Sequence, residues 1–397
     1  MCPKRPSAGW HGFDALQPGP LRDQIQNVLS TADFEVLGDM ALVARSQLDE
    51  TLDPWLTCTI DTSSFTHGCY NLVLEVSFSD GVYWVARIPH TPLAAAARRD
   101  AVDLLSEMAT LRTIKERTSI PVPQVFVCNV SPLNDVGWPY MFMEYLPGRV
   151  LGGVIASLVP PEHLPKVAKQ IADVLFQLHH LTFDRLGRLW RGEEGDSPLK
   201  VIPVDSGPGP QTSLEWFYAH RQDENKSALQ DHPDDPEWKT ACWVLKTALP
   251  HIIIEDRVRG PFPLCHIDLH HGNLLFDDDY NLTGVTDWAQ AQTVPLERLA
   301  VSPEFITFPA GAAEVNQKIV AFRTLVREHL QRLEEAEGST GTFSNFFGTK
   351  RAEITHRCTY SRPYRALWDG RMVAGLIYGD AVTWEQLVRV YGETEIN

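Results

Sequence analysis

The sequence predicts an α+β chain folded as two lobes: a smaller one built from an antiparallel sheet and a helix, and a larger, mainly helical one that carries a β-hairpin. Strand-like alternation is concentrated before Gly148, and helical apolar spacing dominates after it. Within the helical part, the apolar runs Leu274-Leu275-Phe276 and Leu282-Thr283-Gly284-Val285 flank an acidic turn, which is a hairpin pattern. At 397 residues the chain also exceeds the usual size of one hydrophobic core.

Residues 1–50 read as an arm and helix: Pro/Gly-rich to residue 20, then helix-like from Leu21 to Leu48 through Ile25, Val28 and Leu29. Residues 51–147 form the N-lobe. Strands are expected at Trp55–Ile60, at Asn71–Phe78 with Leu72, Leu74 and Val76 alternating, and at Val82–Ile88 after the turn Ser79-Asp80-Gly81. An amphipathic helix over Ala94–Arg117 places Leu104, Met108, Leu111 and Ile114 on one face. A further short strand at Tyr140–Tyr145 ends before Pro147-Gly148. Residues 148–397 form the C-lobe, with helices at His163–Leu181, Glu314–Glu337 and Tyr364–Tyr391 and a break at Gly338–Gly348. The stretch Leu189–Asp235, dense in Pro, Gly and charge, reads as loop with a short helix at Ser213–Arg221.

The net charge of −16 argues against nucleic acid or an anionic membrane as a partner and suits a neutral or cationic small molecule. No protein partner is indicated. The seven cysteines (Cys2, Cys58, Cys69, Cys128, Cys242, Cys265 and Cys358) lack Cys-x-x-Cys spacing, so they read as reduced thiols rather than a disulfide framework or zinc knuckle. No apolar run approaches membrane-spanning or signal-peptide length, and a cytoplasmic location is the expectation.

The chemistry concentrates between His266 and Asp287. The run His266-Ile267-Asp268-Leu269-His270-His271-Gly272-Asn273 precedes the hairpin, and Thr286-Asp287-Trp288 follows it. Pairing centred on Tyr280 sets Asn273 opposite Asp287 at the open end of the hairpin. An amide oxygen beside a carboxylate is a hard-oxygen pair suited to Mg²⁺. Asp268, on a short loop upstream, is placed to accept or orient the proton of an attacking hydroxyl. Phosphoryl transfer needs metal-holding oxygens, a carboxylate at the nucleophile and positive charge over the phosphates. This segment supplies the first two.

The motif His266-x-Asp268-x-x-x-x-Asn273 with Asp287-Trp288 downstream resembles the aminoglycoside phosphotransferase and choline kinase-like family, in a branch common among fungi. The resemblance implies a protein-kinase-like fold, ATP and Mg²⁺ as cofactors, and transfer of phosphate to a hydroxyl of a small molecule. It implies Asp268 as catalytic base, His266 as a brace of the catalytic loop, and Asn273 and Asp287 as metal ligands.

The same resemblance organises the N-lobe. Ser63–Asn71 lies where the family has its nucleotide loop, with Gly68, Tyr70 and Asn71 at its end and backbone N–H groups as phosphate donors. The strand end Trp84-Val85-Ala86-Arg87 resembles Val-Ala-Ile-Lys but carries Arg87 where a lysine is usual, which is the clear departure. Glu107 is the implied ion-pair partner of Arg87, and Met143-Glu144-Tyr145-Leu146 the implied interlobe hinge for adenine.

Rival readings exist. His266, Asp268, His270 and His271 could be metal ligands of a hydrolase, but no second histidine cluster accompanies them. A pseudokinase, with nucleotide binding but little or no transfer, draws on Arg87 and the Gly-poor loop. A protein acceptor would be expected to bring an Ala-Pro-Glu downstream of Asp287, and none follows.

Overall fold

The computed structural model describes residues 5–91, 97–205, 207–303, 306, 312–339 and 341–394. Cys2 and the expected helical start at Ala94–Ala96 lie outside the described residues. The fold is α+β, with one five-stranded antiparallel sheet near the N-terminus and helices with small hairpins beyond it.

Helices α1 (Pro20–Thr31) and α2 (Phe34–Leu48) replace the single helical stretch expected from Leu21. Asp33 breaks it: its carboxylate accepts from the N–H groups of Glu35 and Val36, capping α2 and turning the chain. Strands β1 (Cys58–His67), β2 (Asn71–Phe78), β3 (Tyr83–Pro89), β4 (Val125–Asn129) and β5 (Tyr140–Glu144) line up in the order β1-β2-β3-β5-β4. Helix α3 (Ala97–Arg117) connects β3 to β4.

Strand β1 starts later than expected and runs longer, so the loop expected over Ser63–Asn71 shrinks to a tight turn around Gly68. Phe65 and Thr66 pair with Leu74 and Val73, and burial of Phe65 favours strand over loop there. Trp55, the expected start, is 86% exposed.

The sheet's two faces do different work. Leu72, Leu74 and Val76 of β2 and Trp84, Ala86 and Ile88 of β3 pack beneath Ile25, Val28, Leu37 and Ala41 of the two N-terminal helices. By strand alternation, Asn71, Val73, Glu75, Val85 and Arg87 face the other way, toward the cleft. The core continues across that side: Leu104, Met108, Leu111, Val125 and Met143 belong to one buried cluster with Val167, Leu264, Trp288 and Phe322 of the C-lobe.

In the C-lobe, α4 (Ile155–Leu158) and α5 (Leu164–His180) are followed by short strands β6 (Thr182–Phe183), β7 (Arg188–Trp190) and β8 (Lys200–Ile202). Helices α6 (Ser213–Asp231) and α7 (Pro236–Thr247) come next. Helix α6 extends well past the short helix expected there. A capping box between Thr212 and Glu215 starts it, and its inner face buries Arg221 and Asn225 beside Phe217 and Ala228, polar residues that hide an apolar period.

Then follow β9 (Phe262–Cys265), the hairpin β10 (Leu274–Phe276) and β11 (Leu282–Val285), β12 (Gln292–Thr293) and α8 (Leu296–Ala300). The chain continues through α9 (Ala313–Ala336), α10 (Thr342–Phe346), α11 (Lys350–Tyr360), α12 (Ala366–Tyr378) and α13 (Trp384–Tyr391). The last helical stretch, expected as one, is two helices, with Thr383 capping the second through Gln386. The six described cysteines are free thiols, and among the described residues no helix is long and apolar enough to cross a membrane.

The segments joining the lobes are tied to the hairpin. The N–H of Arg149 donates to the Phe276 carbonyl at 2.9 Å, the reverse bond is also 2.9 Å, and the Val285 N–H reaches the Pro121 carbonyl at 2.8 Å. Gly148 just before has φ of 138°, and a Cβ there would sit 2.4 Å from Thr283 Oγ1. Gly148→Ala is expected to cost about 1–3 kcal/mol through backbone strain and this clash, read as a lowered urea midpoint.

Candidate active site

The hairpin register differs by one residue from that expected. Leu274 pairs with Val285 and Leu275 with Gly284, so Asn273 lies opposite Thr286, whose N–H donates to the Asn273 carbonyl at 3.0 Å. The turn is the cause. Asp277 Oδ1 accepts from the N–H groups of Asp279 (3.0 Å) and Asn281 (2.8 Å), Tyr280 takes φ of 59°, and a bulge follows Leu275. Asp287 then stands one residue beyond the pairing, at φ of 62°. Left-handed backbone at a non-glycine residue is costly and marks a position where the surroundings dictate side-chain direction. Asp287 lines the cleft with its side chain 53% exposed.

The loop from His266 to Asn273 is held from both ends. His266 is buried, its Nε2 lies 2.8 Å from the Thr286 carbonyl, and its ring sits 4.6 Å from that of Trp288. Burial pushes its pKa down, so the ring is neutral and Nε2–H is the donor. The Asn273 Nδ2 donates to the Asp268 carbonyl at 2.9 Å, which commits the amide's nitrogen and leaves its oxygen for another partner. The Asp268 side chain is 67% exposed, and His270 Nε2 lies 3.7 Å from its Oδ2 while His270 Nδ1 accepts from the Gly272 N–H. Buried Arg298 of α8 donates to the Ile267 carbonyl at 3.0 Å, beside Asp268.

Across the cleft, Arg87 collects the polar groups of the N-lobe. Its Nη1 pairs with buried Glu107 of α3. With the Asn71 amide oriented to satisfy its neighbours, its oxygen accepts from Arg87 Nη2 at 2.9 Å and Nε at 3.1 Å. Nη2 also lies 3.6 Å from Asp287 Oδ1, the contact that joins the two lobes. Burial works against the charge on Arg87, but Glu107 and Asp287 outweigh it and hold the guanidinium firmly protonated. Burial pushes the Glu107 carboxyl up against the pull of Arg87.

A cavity of about 750 Å³ lies beside Arg87 and Asp287, and His266, Asp268 and Asn273 are not among its lining residues. Gly68, Asn71, Arg87, Glu107, Asp287 and the segment Met143–Leu146 all line it. Several expected site residues behave otherwise. Tyr70 is 65% exposed at the β1–β2 turn and is not among the cavity-lining residues, although its carbonyl accepts from the His90 N–H. The N–H of Gly68 closes the turn on the Asn71 carbonyl at 3.0 Å. The Glu144 N–H donates to the Gln124 carbonyl, and its carboxylate takes Lys115 at 2.8 Å and the Gln124 N–H at 3.0 Å, bracing Met143–Leu146 to α3. Sequence reading passed over the residues 5–10, His90 and Arg298. His90 is fully buried, 3.2 Å from the Gly68 carbonyl and 3.1 Å from Gln24 of α1; no motif marks any of the three.

The sequence model of the phosphotransferase enzyme family matches residues 61–335, more than half of the chain. This chain belongs to that family. Its fold is similar to that of a candidate aminoglycoside phosphotransferase from Ralstonia eutropha, with a TM-score of 0.52 at 13% identity, covering 89% of this chain and 98% of the other. A subtelomeric hrmA-associated cluster protein of Aspergillus fumigatus is 29% identical over 162 residues, 41% of this chain and 31% of that protein. The altered inheritance of mitochondria protein 9 of Candida tropicalis is 26% identical over 160 residues, 39% of this chain and 26% of that protein. The matched segments thus span under a third of these relatives' length.

Two outcomes follow from the buried charges. Arg87→Ala leaves Glu107 buried without its partner and is expected to cost about 3–5 kcal/mol in urea unfolding, with part recovered by adding Glu107→Gln. His90, His179 and His266 all have pKa values depressed by burial below the ordinary 6.5, to about 4 for His179. The unfolded chain therefore binds protons that the folded chain does not, and stability held above pH 6.5 is lost as pH falls through the folded values. The urea midpoint is expected to drop progressively below that pH, less steeply in His266→Gln.

Proposed function

We propose that the chain is an ATP- and Mg²⁺-dependent phosphotransferase that acts on a hydroxyl of a small molecule. The observation that carries the reading is Arg87. From the sheet it reaches Glu107 and Asp287 at once, so a charged roof and an acidic floor meet across a cavity of nucleotide size.

The donor set fits Mg²⁺, which takes few protein ligands and completes its shell with waters and phosphate oxygens. Asn273 offers the amide oxygen left by its bond to Asp268, and Asp287 a cleft-facing carboxylate. When bound, the metal supplies neutralisation of charge on the transferring phosphoryl group. Met143–Leu146 and Val85 line the wall for adenine, and Arg87 supplies positive charge from a guanidinium held in place by Glu107, Asn71 and Asp287. Arginine in place of lysine thus works as a fixed charge at the roof rather than a mobile one.

Asp268 orients the acceptor hydroxyl and takes its proton as the new O–P bond forms and the bond from the γ-phosphorus to the bridging oxygen breaks, releasing ADP. His266, locked to Thr286, and Arg298, locked to Ile267, keep the Asp268 loop in place. The reading places this chemistry in the cytoplasm.

Asp268→Ala is expected to lower turnover roughly 10²- to 10⁴-fold while nucleotide affinity holds. Unchanged turnover would sink the assignment of the base. Asp287→Ala is expected to remove the Mg²⁺ dependence of nucleotide binding in calorimetry with and without the metal. ATP consumption against a panel of hydroxylated metabolites separates this reading from a pseudokinase, which would bind Mg·ATP and transfer phosphate to none.

A further inference from the structure

The segment Arg5–Trp10 lines the same cavity as Met143–Leu146 and Asp287. Arg5, Pro6, Ala8, Gly9 and Trp10 form one of its walls. It is fastened at both ends. Arg5 donates to Glu75 Oε1 through Nε (3.1 Å) and Nη2 (2.7 Å), and the Ser7 N–H donates to Oε2 at 2.8 Å. Beyond the wall, His11 and Phe65 exchange backbone bonds of 3.2 and 3.0 Å, and Gly12 follows where a Cβ would come 2.7 Å from the Ser63 carbonyl.

The anchor is built for this. Glu75 is fully buried on the cleft side of β2, a place where a carboxylate is expensive unless hydrogen-bonded. Burial pushes its pKa up, but the bonds from Ser77, Ser7 and Arg5 outweigh it and hold it at about 2, so the anchor is ionised throughout the neutral range. Take the segment away, and among the described residues Ser77 is the remaining side-chain donor to it. Between the fastenings the wall is light. Pro6 is buried and Trp10 half-buried, but Ala8 and Gly9 between them are exposed, Gly9 takes φ of 104°, and two turn bonds of 3.2 and 2.9 Å hold its shape. A segment with few buried contacts and polar pins is one that opens locally at low cost.

With the segment in position the cavity still has about 750 Å³, enough for a nucleotide, so it walls the site rather than plugs it. We propose that Arg5–Trp10 is a strap over the nucleotide site, pinned by Glu75, and that release of bound nucleotide requires the Arg5–Glu75 pin to open. This rests on the phosphotransferase reading, because it assigns the cavity to a nucleotide.

The test is displacement of a fluorescent ATP analogue with Mg²⁺ by stopped flow, beside amide exchange of residues 5–12, in the full chain. Arg5→Ala removes the ion pair and Ser7→Pro the second bond, each leaving Glu75 in place. Each is expected to raise the dissociation rate about tenfold, in line with the loss of a charge-assisted hydrogen bond, with faster exchange in the strap. Arg5→Lys is expected to fall between them and the unaltered chain, and thermal melting shows whether the variants stay folded at the assay temperature. A freed strap with an unchanged dissociation rate overturns the proposal, as does tighter binding, which would mark an inhibitory arm. If the unaltered chain binds no nucleotide, the phosphotransferase reading fails and the strap with it. A chain that binds nucleotide alike with the strap free or pinned loses the strap alone.

Discussion

The guanidinium of Arg87 is the point on which both lobes turn. It is buried, and a buried cation survives only if its partners are fixed in place. Glu107 fixes it from α3, Asn71 from the head of β2, and Asp287 from the far side of the cleft. Each partner sits on a separate element, so the charge also sets how those elements approach one another. The arginine fork, with three nitrogens in one plane, can serve three such partners where a lysine would serve them as a point charge. The departure from the usual lysine thus comes with a structural gain: a roof whose geometry is determined before any ligand arrives.

Opposite that roof, the floor is shaped by a turn. The five residues Asp277–Asn281 close on the Asp277 carboxylate, the bulge after Leu275 absorbs the odd residue, and Asp287 emerges just outside the ladder. Its left-handed backbone directs its carboxylate to the cleft rather than along the strand. The hairpin is in turn bonded to Arg149 and Pro121, so floor and interlobe connection are tied together. The loop bearing Asp268 hangs from this frame through His266 and Asn273, both held by backbone carbonyls. The Asp268 carboxylate is thus exposed while the loop that carries it is held at both ends.

Much of this was readable along the chain because it is local. The spacing from His266 to Asn273, the apolar flanks of the acidic turn, and the alternation of Leu72, Leu74 and Val76 all state their structure within a few residues. Glu107 was found as the partner of Arg87 by resemblance, since nothing in its helix distinguishes it from a solvated glutamate. The one-residue error in the hairpin came from a bulge and the turn beside it, whose hydrogen bonds run from the Asp277 side chain to the backbone and leave no mark in apolar period. Helix α6 escaped for the opposite reason: Arg221 and Asn225 are polar and yet buried, because backbone carbonyls of Cys358 and Cys242 receive them.

The amino-acid sequence alone determined that strands concentrate before Gly148 and helices after it, that a hairpin carries Asn273 and Asp287 near its open end, and that a carboxylate stands on the loop before it. These follow from periodicity and from turn chemistry, both interactions between near neighbours. Tertiary structure alone decided that Asn273 faces Thr286 rather than Asp287, that Arg87 spans to Asp287, that the N–H of Gly68 is spent within its own turn, and that residues 5–10 wall the cleft from a buried Glu75. Contacts such as Arg5 to Glu75 join residues far apart in the chain. They arise because burial leaves a carboxylate no water and forces it to take whatever donor the fold delivers, and that delivery has no local signature.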